Sequence, residues 1–373
     1  MYFEFSTAAR VIFGAGSIRE VRGAAKGMGS RALVVTGSTP ERASCLNLSN
    51  QVVFPIRGEP RIERIREGVR LAHEEQCDFV IGLGGGSAMD AGKAIAILMT
   101  NSGEPLDYLE GVGAGKAIAY ASAPFVAIPT TAGTGSEATR NAVLTCSQRG
   151  VKASLRHPSM LPRLAVVDPE LTFPLPAEIT ASTGLDALTQ LIEAFTSIRA
   201  NPVTDALCVD GIRRVEDALP QAWRDGQNAQ ARTDMALASL YGGMALANAG
   251  LGAVHGFAAP IGGMFAAPHG AVCAALLPYV TEMNIHALKA RAGESEVVGR
   301  YAAIGGILSG TDDPVTWLRV VCRDMGIPPL RAYGVEQRHV SEIVEKATRA
   351  SSMKSNPIVL TREELTDVLE SAI

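Results

Sequence analysis

Gly82-Leu83-Gly84-Gly85-Gly86-Ser87-Ala88-Met89-Asp90-Ala91-Gly92-Lys93 is the stretch from which the rest of the chain is read. Ahead of it, residues 77–81 form a short apolar run bounded by glycine, the pattern of a buried strand. Behind it, residues 91–99 are rich in Ala, Ile, Leu and Met and read as a helix. Strand, consecutive glycines and helix are what a pyrophosphate needs. Residues without side chains let its oxygens approach backbone N–H groups, and a helix N-terminus offers unpaired donors and partial positive charge. Ser87 adds a hydroxyl donor. Two features depart from a dinucleotide fingerprint: Ser87 stands where G-x-G-x-x-G has its third glycine, and no clear acidic residue closes a second strand about twenty positions on. On this stretch alone, a phosphate cradle and a merely tight strand–helix turn are both open.

Working outward, residues 31–36 and 52–54 are apolar strands, and residues 3–5 and 11–13 are shorter ones. Ser17 is a candidate N-cap for a helix through about Lys26. Ile62, Ile65, Val69 and Ala72 share one face of a helix over 62–75. Downstream, the strand 125–128 runs into Pro129-Thr130-Thr131-Ala132-Gly133-Thr134-Gly135-Ser136-Glu137. A loop so dense in hydroxyls and glycine, at a strand's carboxyl end, lies where open α/β sheets bind ligands. An ordinary Ser/Thr/Gly loop is the equal alternative. Residues 164–169 give the last strand of this half. Strands alternating with helices imply a parallel sheet covered on both faces. After residues 173–176 the strand-like runs give way to Ala/Leu-rich periodic segments at 184–195, 202–218, 229–248, 297–307 and 315–325. The expected organisation is a mostly parallel α/β dinucleotide-binding domain over residues 1–174, followed by an all-helical domain over 175–373.

Bulk properties bound the function. A chain of 373 residues has room for two domains at a prior of about 150 residues each. It is 47% hydrophobic and 19% charged, a globular composition. A net charge of −4 draws it neither to nucleic acid nor to anionic lipid. No secretory signal opens it, and apolar runs are broken by Ser, Pro or Gly short of about 18 residues, so no membrane span is expected. Cys45, Cys77, Cys146, Cys208, Cys273 and Cys322 are scattered without a C-x-x-C pair, and read as reduced thiols of a cytoplasmic protein.

A second constellation lies in the helical half. Asp186 and Gln190, four apart, share one helix face. Asp186 is a charge in a mostly apolar segment, which costs free energy unless it is paired or ligates something. His255 and His269 stand in residues 242–278, a stretch free of Asp, Glu, Lys and Arg, and each is followed by glycine. One such histidine is ordinarily a hydrogen-bonded core residue. Two histidines and a carboxylate form a candidate set for Fe(II) with open positions or Zn(II) with a water.

Together these segments resemble the iron-containing (group III) alcohol dehydrogenases, over nearly the whole chain. The resemblance rests on Gly84-Gly85-Gly86-Ser87-x-x-Asp90-x-x-Lys93, on the loop Pro129 to Glu137, on Asp168-Pro169-Glu170-Leu171, on Gly184-Leu185-Asp186-Ala187-Leu188-Thr189 and on Pro268-His269-Gly270. It implies a dehydroquinate synthase-like fold with the active site between the two domains. It also implies NAD(P)H and a divalent metal, Fe(II) or Zn(II), as cofactors, and an alcohol or aldehyde as substrate. Gly84, Gly85, Gly86 and Ser87 would hold the pyrophosphate. Thr130, Thr131 and Thr134 would line the cofactor, with Asp90, Ser136, Lys152 and Leu171 at further cofactor positions. Asp186, Gln190, His255 and His269 fall at the metal-ligand positions, and Asp186, His255 and His269 would be the catalytic set. A homodimer is implied, with the strand at residues 3–5 pairing across it.

Three departures stand out. Gln190 replaces a histidine. Ala259 occupies a position where a further histidine often relays protons. Gly37, with Ser38 beside it, lies where NAD-specific members carry an aspartate for the ribose hydroxyls, so NADPH is expected to be accepted. Phe257, Ile261, Met264 and Phe265 give either an apolar substrate wall or core packing. A related branch, the maleylacetate reductases, reduces an unsaturated keto acid without metal. That branch usually alters the position that is Asp186 here. A lyase of the dehydroquinate synthase type would want a Lys/Arg cluster that the second half lacks. A non-catalytic binding protein with Gln190 as its scar is the remaining alternative.

Overall fold

The computed structural model describes residues 2–146 and 151–373. These form two compact units. One comprises Ser6–Thr131 and Gly135–Phe173, the other Pro174–Ile373 with Ala132–Thr134 and the N-terminal residues through Phe5.

In the first unit the strands are β1 (Val11–Phe13), β2 (Ala32–Thr36), β3 (Gln51–Pro55), β4 (Phe79–Gly84), β5 (Phe125–Pro129), β6 (Asn141–Cys146), β7 (Val151–Arg156) and β8 (Leu164–Val167). Six make one sheet in the order β1-β8-β5-β4-β2-β3, with every pairing parallel. The helices are α1 (Val21–Ala24), α2 (Ile62–Glu74) and α3 (Gly86–Leu98). Strands β2, β4, β5 and β8 are buried throughout, which explains their continuous apolar runs. Alternation sends Leu33, Val35, Val80 and Ala127 to a core with Ile62, Ile65 and Ile95. It sends Val34, Ile81, Val126 and Val166 to the other face with Val21 and Leu46. The register Thr36↔Leu83 and Gly84↔Pro129 aligns the carboxyl ends of β2, β4 and β5 along one sheet edge.

Three local expectations are corrected, and one hairpin is added. Residues 3–5 form no strand, and Tyr2 and Phe3 are exposed. Ser17 is not an N-cap: Gly16 takes that place in the left-handed region, a 3-10 turn covers Ser17–Glu20, and α1 lasts four residues. Helix α3 starts at Gly86 rather than Ala91, so the glycines themselves make its first turn. The antiparallel hairpin β6–β7, alternately buried and half-exposed on β6, escaped the apolar-run reading because polar Asn, Thr, Lys and Ser interrupt it.

In the second unit the α-helices are α4 (Ala177–Thr196), α5 (Pro202–Arg224), α6 (Ala229–Ala249), α7 (Ala253–Met264), α8 (His269–Arg291), α9 (Glu296–Leu308), α10 (Pro314–Asp324), α11 (Val340–Thr348) and α12 (Arg362–Ala372). Helix α4 is buried from Gly184 to Thr196, with α5, α6 and α8 packed against it. A helix apolar on all sides belongs in such a core. Helix α8 is long and apolar enough to cross a membrane by length and composition, against the sequence expectation. Yet 72% of its apolar window is buried within the structure, as in a core helix.

Candidate functional site

The central helix brings the chemistry to one place. Asp186 points from the middle of α4 and is 1% exposed. Around it come His255 from the first turn of α7 and His269 and Cys273 from the first turns of α8. One donor atom from each of these four residues lies within 4.8 Å of the others. His255 Nε2 is 3.4 Å and His269 Nε2 3.8 Å from Asp186 Oδ1. Cys273 Sγ is 3.9 Å from His255 Nε2 and 3.7 Å from His269 Nε2.

Local sequence explains the convergence. A Cβ on Gly270 would stand 2.6 Å from the Ser182 carbonyl oxygen, so only glycine lets the start of α8 rest on the α4 backbone and set His269 beside Asp186. On α7, Glu193 of α4 does two jobs. Its Oε1 accepts the Val254 N–H at 2.7 Å at a helix N-terminus that has no side-chain cap of its own. Its Oε2 lies 2.7 Å from His255 Nδ1. A carboxylate on Nδ1 places the proton there and turns the Nε2 lone pair toward Asp186 and Cys273.

The titratable groups of the cluster shift one another. Burial opposes protonation of His255, yet Cys273 and Glu193 lift it well above its ordinary value. Cys273 first, and then Asp186, push His269 up to about 9 against burial. Burial would raise Asp186, but the two imidazoles hold it below the usual carboxylate range. Asp186 Oδ1 is buried and has no hydrogen-bond partner among the described residues. A desolvated carboxylate oxygen without a partner is costly, and a bound cation removes that cost. Carboxylate, two imidazoles and a thiol are ligands that zinc or ferrous iron accepts.

Gln190 sits one turn beyond Asp186 on α4. Its Nε2 donates to the Thr134 carbonyl at 3.2 Å, while Oε1 is buried, unpartnered and 2.9 Å from where a Cβ on Gly242 of α6 would be. Of the apolar residues near His255, Phe257 and Ile261 are fully buried in the helical core, which supports the packing alternative for those two. Met264 and Phe265 are half-buried. The residue that sequence reasoning missed is Cys273. Its spacing of four from His269, in the same charge-free stretch, was the available signal.

The other constellation is made of main chain. Gly84 is buried, and Gly85, Gly86 and Ser87 are partly exposed. Gly85 stands at the N-cap of α3 without a side-chain cap. A Cβ on Gly84 would meet Ala88 Cβ at 2.7 Å and the Gly37 nitrogen at 3.2 Å, so the turns after β2 and β4 abut. Thr130 N–H donates to the Gly84 carbonyl at 2.9 Å, and Thr131 lies 3.3 Å from a Cβ position on Gly85. Gly37 has open space where a side chain would start, and Ser38 is exposed.

Asp90 and Ser136 spend their polar atoms inside the fold. Ser136 Oγ donates to Asp90 Oδ1 at 2.8 Å, and Val143 N–H donates to Asp90 Oδ2. Lys93, wholly buried, donates to Ser136 Oγ, the Ser136 carbonyl and Thr139 Oγ1. Burial lowers its ammonium from the usual range and the Asp90 charge opposes this. These bonds lock the hydroxyl-rich loop to α3. Asp168 likewise accepts from the Gly16, Ile18 and Glu170 N–H groups and fixes the turn carrying Leu171. Lys152 on β7 pairs with Glu59 at 3.0 Å.

Comparison with known proteins follows the same division. Residues 8–169 match the family described as iron-containing alcohol dehydrogenase. Residues 180–373 match the C-terminal region of the Fe-containing alcohol dehydrogenase family. The chain is 36% identical to alcohol dehydrogenase 4 of Saccharomyces cerevisiae, over 92% of this chain and 88% of that one. It is 33% identical to an NAD-dependent methanol dehydrogenase of Bacillus methanolicus, over 97% of each. A crystal structure of a 1,3-propanediol oxidoreductase superposes with a TM-score of 0.90 at 32% identity, covering 100% of both chains.

Proposed function

This chain belongs to the iron-containing alcohol dehydrogenase family, a metal-containing, NAD-dependent oxidoreductase of alcohols and aldehydes, and from that premise we propose how its own residues divide the work. The observation that carries the assignment is the meeting of Asp186, His255 and His269 around an unpartnered buried carboxylate oxygen. These three would hold the divalent ion. When bound, such an ion supplies Lewis-acid polarisation of a substrate oxygen, and the nicotinamide supplies the hydride chemistry. Asp186 contributes the negative charge. Glu193 keeps the His255 proton on Nδ1 so that Nε2 faces the site. Gln190 ties Thr134 to α4 through Nε2, and its buried, unpartnered Oε1 would remain a weaker neutral ligand.

On the nucleotide side, the main chain of Gly84, Gly85 and Gly86 with the Ser87 hydroxyl would receive the pyrophosphate at the uncapped start of α3. Thr130, Thr131 and Thr134 would line the cofactor, in a loop made rigid by Asp90, Lys93 and Ser136. Lys152 and Leu171 would be peripheral cofactor contacts. The open space at Gly37 and the exposed Ser38 support acceptance of NADPH beside NADH. Ala259 is exposed and has no titratable atom, so proton exchange there would fall to water. The substrate would be a small alcohol or aldehyde. Family likeness supports a homodimer, and six free cysteines support a reducing, cytoplasmic setting.

The test is a panel of aldehydes and alcohols with NADH and NADPH, followed by nicotinamide absorbance, on protein supplied with Fe(II) or Zn(II). Metal-dependent turnover of at least one short substrate is expected. Turnover unaffected by complete removal of metal would refute the assignment.

A further inference from the structure

We propose that Cys273 is itself a metal ligand in this chain, its Sγ joining Asp186 Oδ1, His255 Nε2 and His269 Nε2 around one ion, and that the sulfur biases the site toward zinc over iron. The proposal rests on the metal assignment above and adds a donor to it, so that a substrate oxygen would have to enter as a fifth ligand.

Geometry is the first argument. Bonds of about 2.0–2.1 Å to nitrogen and oxygen and about 2.3 Å to sulfur, at tetrahedral angles, set donors about 3.3–3.6 Å apart. Four of the six donor separations are 3.4, 3.8, 3.9 and 3.7 Å, and the Asp186–Cys273 and His255–His269 separations lie within 4.8 Å. A few tenths of an ångström of contraction brings the four shorter separations to those of a bound ion. The second argument is independent of the cysteine: Asp186 Oδ1 is buried among these donors without a partner. Thirdly, Cys273 is wholly buried on α8, one turn after His269. A buried cysteine serving only as a small apolar side chain has no need of polar neighbours. This one sets its sulfur against both imidazole Nε2 atoms, the atoms that Glu193 and the α4–α8 packing aim at Asp186.

Binding exchanges protons for the ion: any carried by Sγ or by the two Nε2 atoms pass to solvent as Sγ, nitrogen and oxygen take the metal. Thiolate is a soft ligand and suits zinc better than an all-oxygen-and-nitrogen set does.

The experiment uses the full chain stripped of metal and titrated with cobalt(II), with bound cobalt measured by equilibrium dialysis and the spectrum recorded alongside. Expected is stoichiometric cobalt with an intense thiolate-to-cobalt charge-transfer absorption in the near ultraviolet. That band should vanish in Cys273→Ser and Cys273→Ala and persist in Cys322→Ser, whose sulfur lies outside the group. Zinc affinity of Cys273→Ser, by chelator competition, should fall by about tenfold or more, and by a larger factor than Fe(II) affinity. Cobalt bound by the unaltered chain without the band overturns this proposal and leaves the metal assignment standing. No bound cobalt overturns both. Should the Cys273 variants fail to fold, the spectrum of the unaltered chain still decides, because among the described residues no other cysteine joins the cluster.

Discussion

The two candidate ligand sites are built by opposite means. At Gly84–Gly85–Gly86 the chain removes side chains, and the ligand would be met by backbone at the mouth of α3. At Asp186, His255, His269 and Cys273 it does the reverse, gathering three buried side chains and the partly exposed His269 from three helices. The first site depends on what is absent, so a single added methyl group damages it. The second depends on chemistry, so a substitution that preserves shape can still destroy it. Each kind of damage can be inflicted without the other, and that is how the contrast can be broken or sharpened.

The largest effect is expected from His269→Ala. Loss of an outer-shell partner typically costs 10–100-fold in metal affinity, so loss of a ligand should cost more than about 100-fold, with turnover falling in step. Metal analysis and initial rates on the folded variant measure this, and retention of metal at the unaltered affinity would remove His269 from the site. Next comes Glu193→Gln. Its amide can accept only one of the two N–H groups that Glu193 now serves, at Val254 and His255. About a tenfold loss of metal affinity is expected, with nicotinamide affinity unchanged.

Gly84→Ala attacks the other site. The new Cβ must displace Ala88 and crowd the Gly37 nitrogen. Overpacking of this kind costs about 1–3 kcal/mol. Calorimetry should show weakened NADH binding by about tenfold with metal content intact. If metal content falls equally, the two sites are not separable as argued. The smallest effect is expected from Gly37→Asp, which has room for a side chain. A carboxylate there should weaken NADPH about fivefold relative to NADH, the scale of about 1 kcal/mol for a solvated charge pair. An unchanged ratio of the two KM values would refute the placement of Gly37 beside the ribose.

What the sequence made legible follows from the same contrast. The glycine turn, the strand–helix alternation and the parallel sheet are written in contiguous residues, because buried strands are continuous apolar runs. Asp186, His255 and His269 could be named because charge and imidazole are conspicuous in an apolar stretch. Cys273 carries only the weaker signal of its spacing from His269, since a cysteine among alanines and leucines looks like core until folding turns its sulfur toward two imidazoles. Gln190 falls at a ligand position through the family resemblance, spacing alone giving only a helix face shared with Asp186. Only the folded chain shows its amide turned to the Thr134 carbonyl. The strand expected at residues 3–5 failed because strand formation needs a partner that composition cannot reveal.

The central claim is that the helical unit holds a divalent ion on Asp186, His255 and His269. Its most direct test is to strip the full chain of metal, return ions stepwise, and follow bound metal and NADH-linked alcohol turnover together. Activity should be lost on stripping and should return in proportion to bound metal, saturating at one ion per chain. Full turnover by the stripped protein, or saturation without any recovery of rate, would contradict the claim.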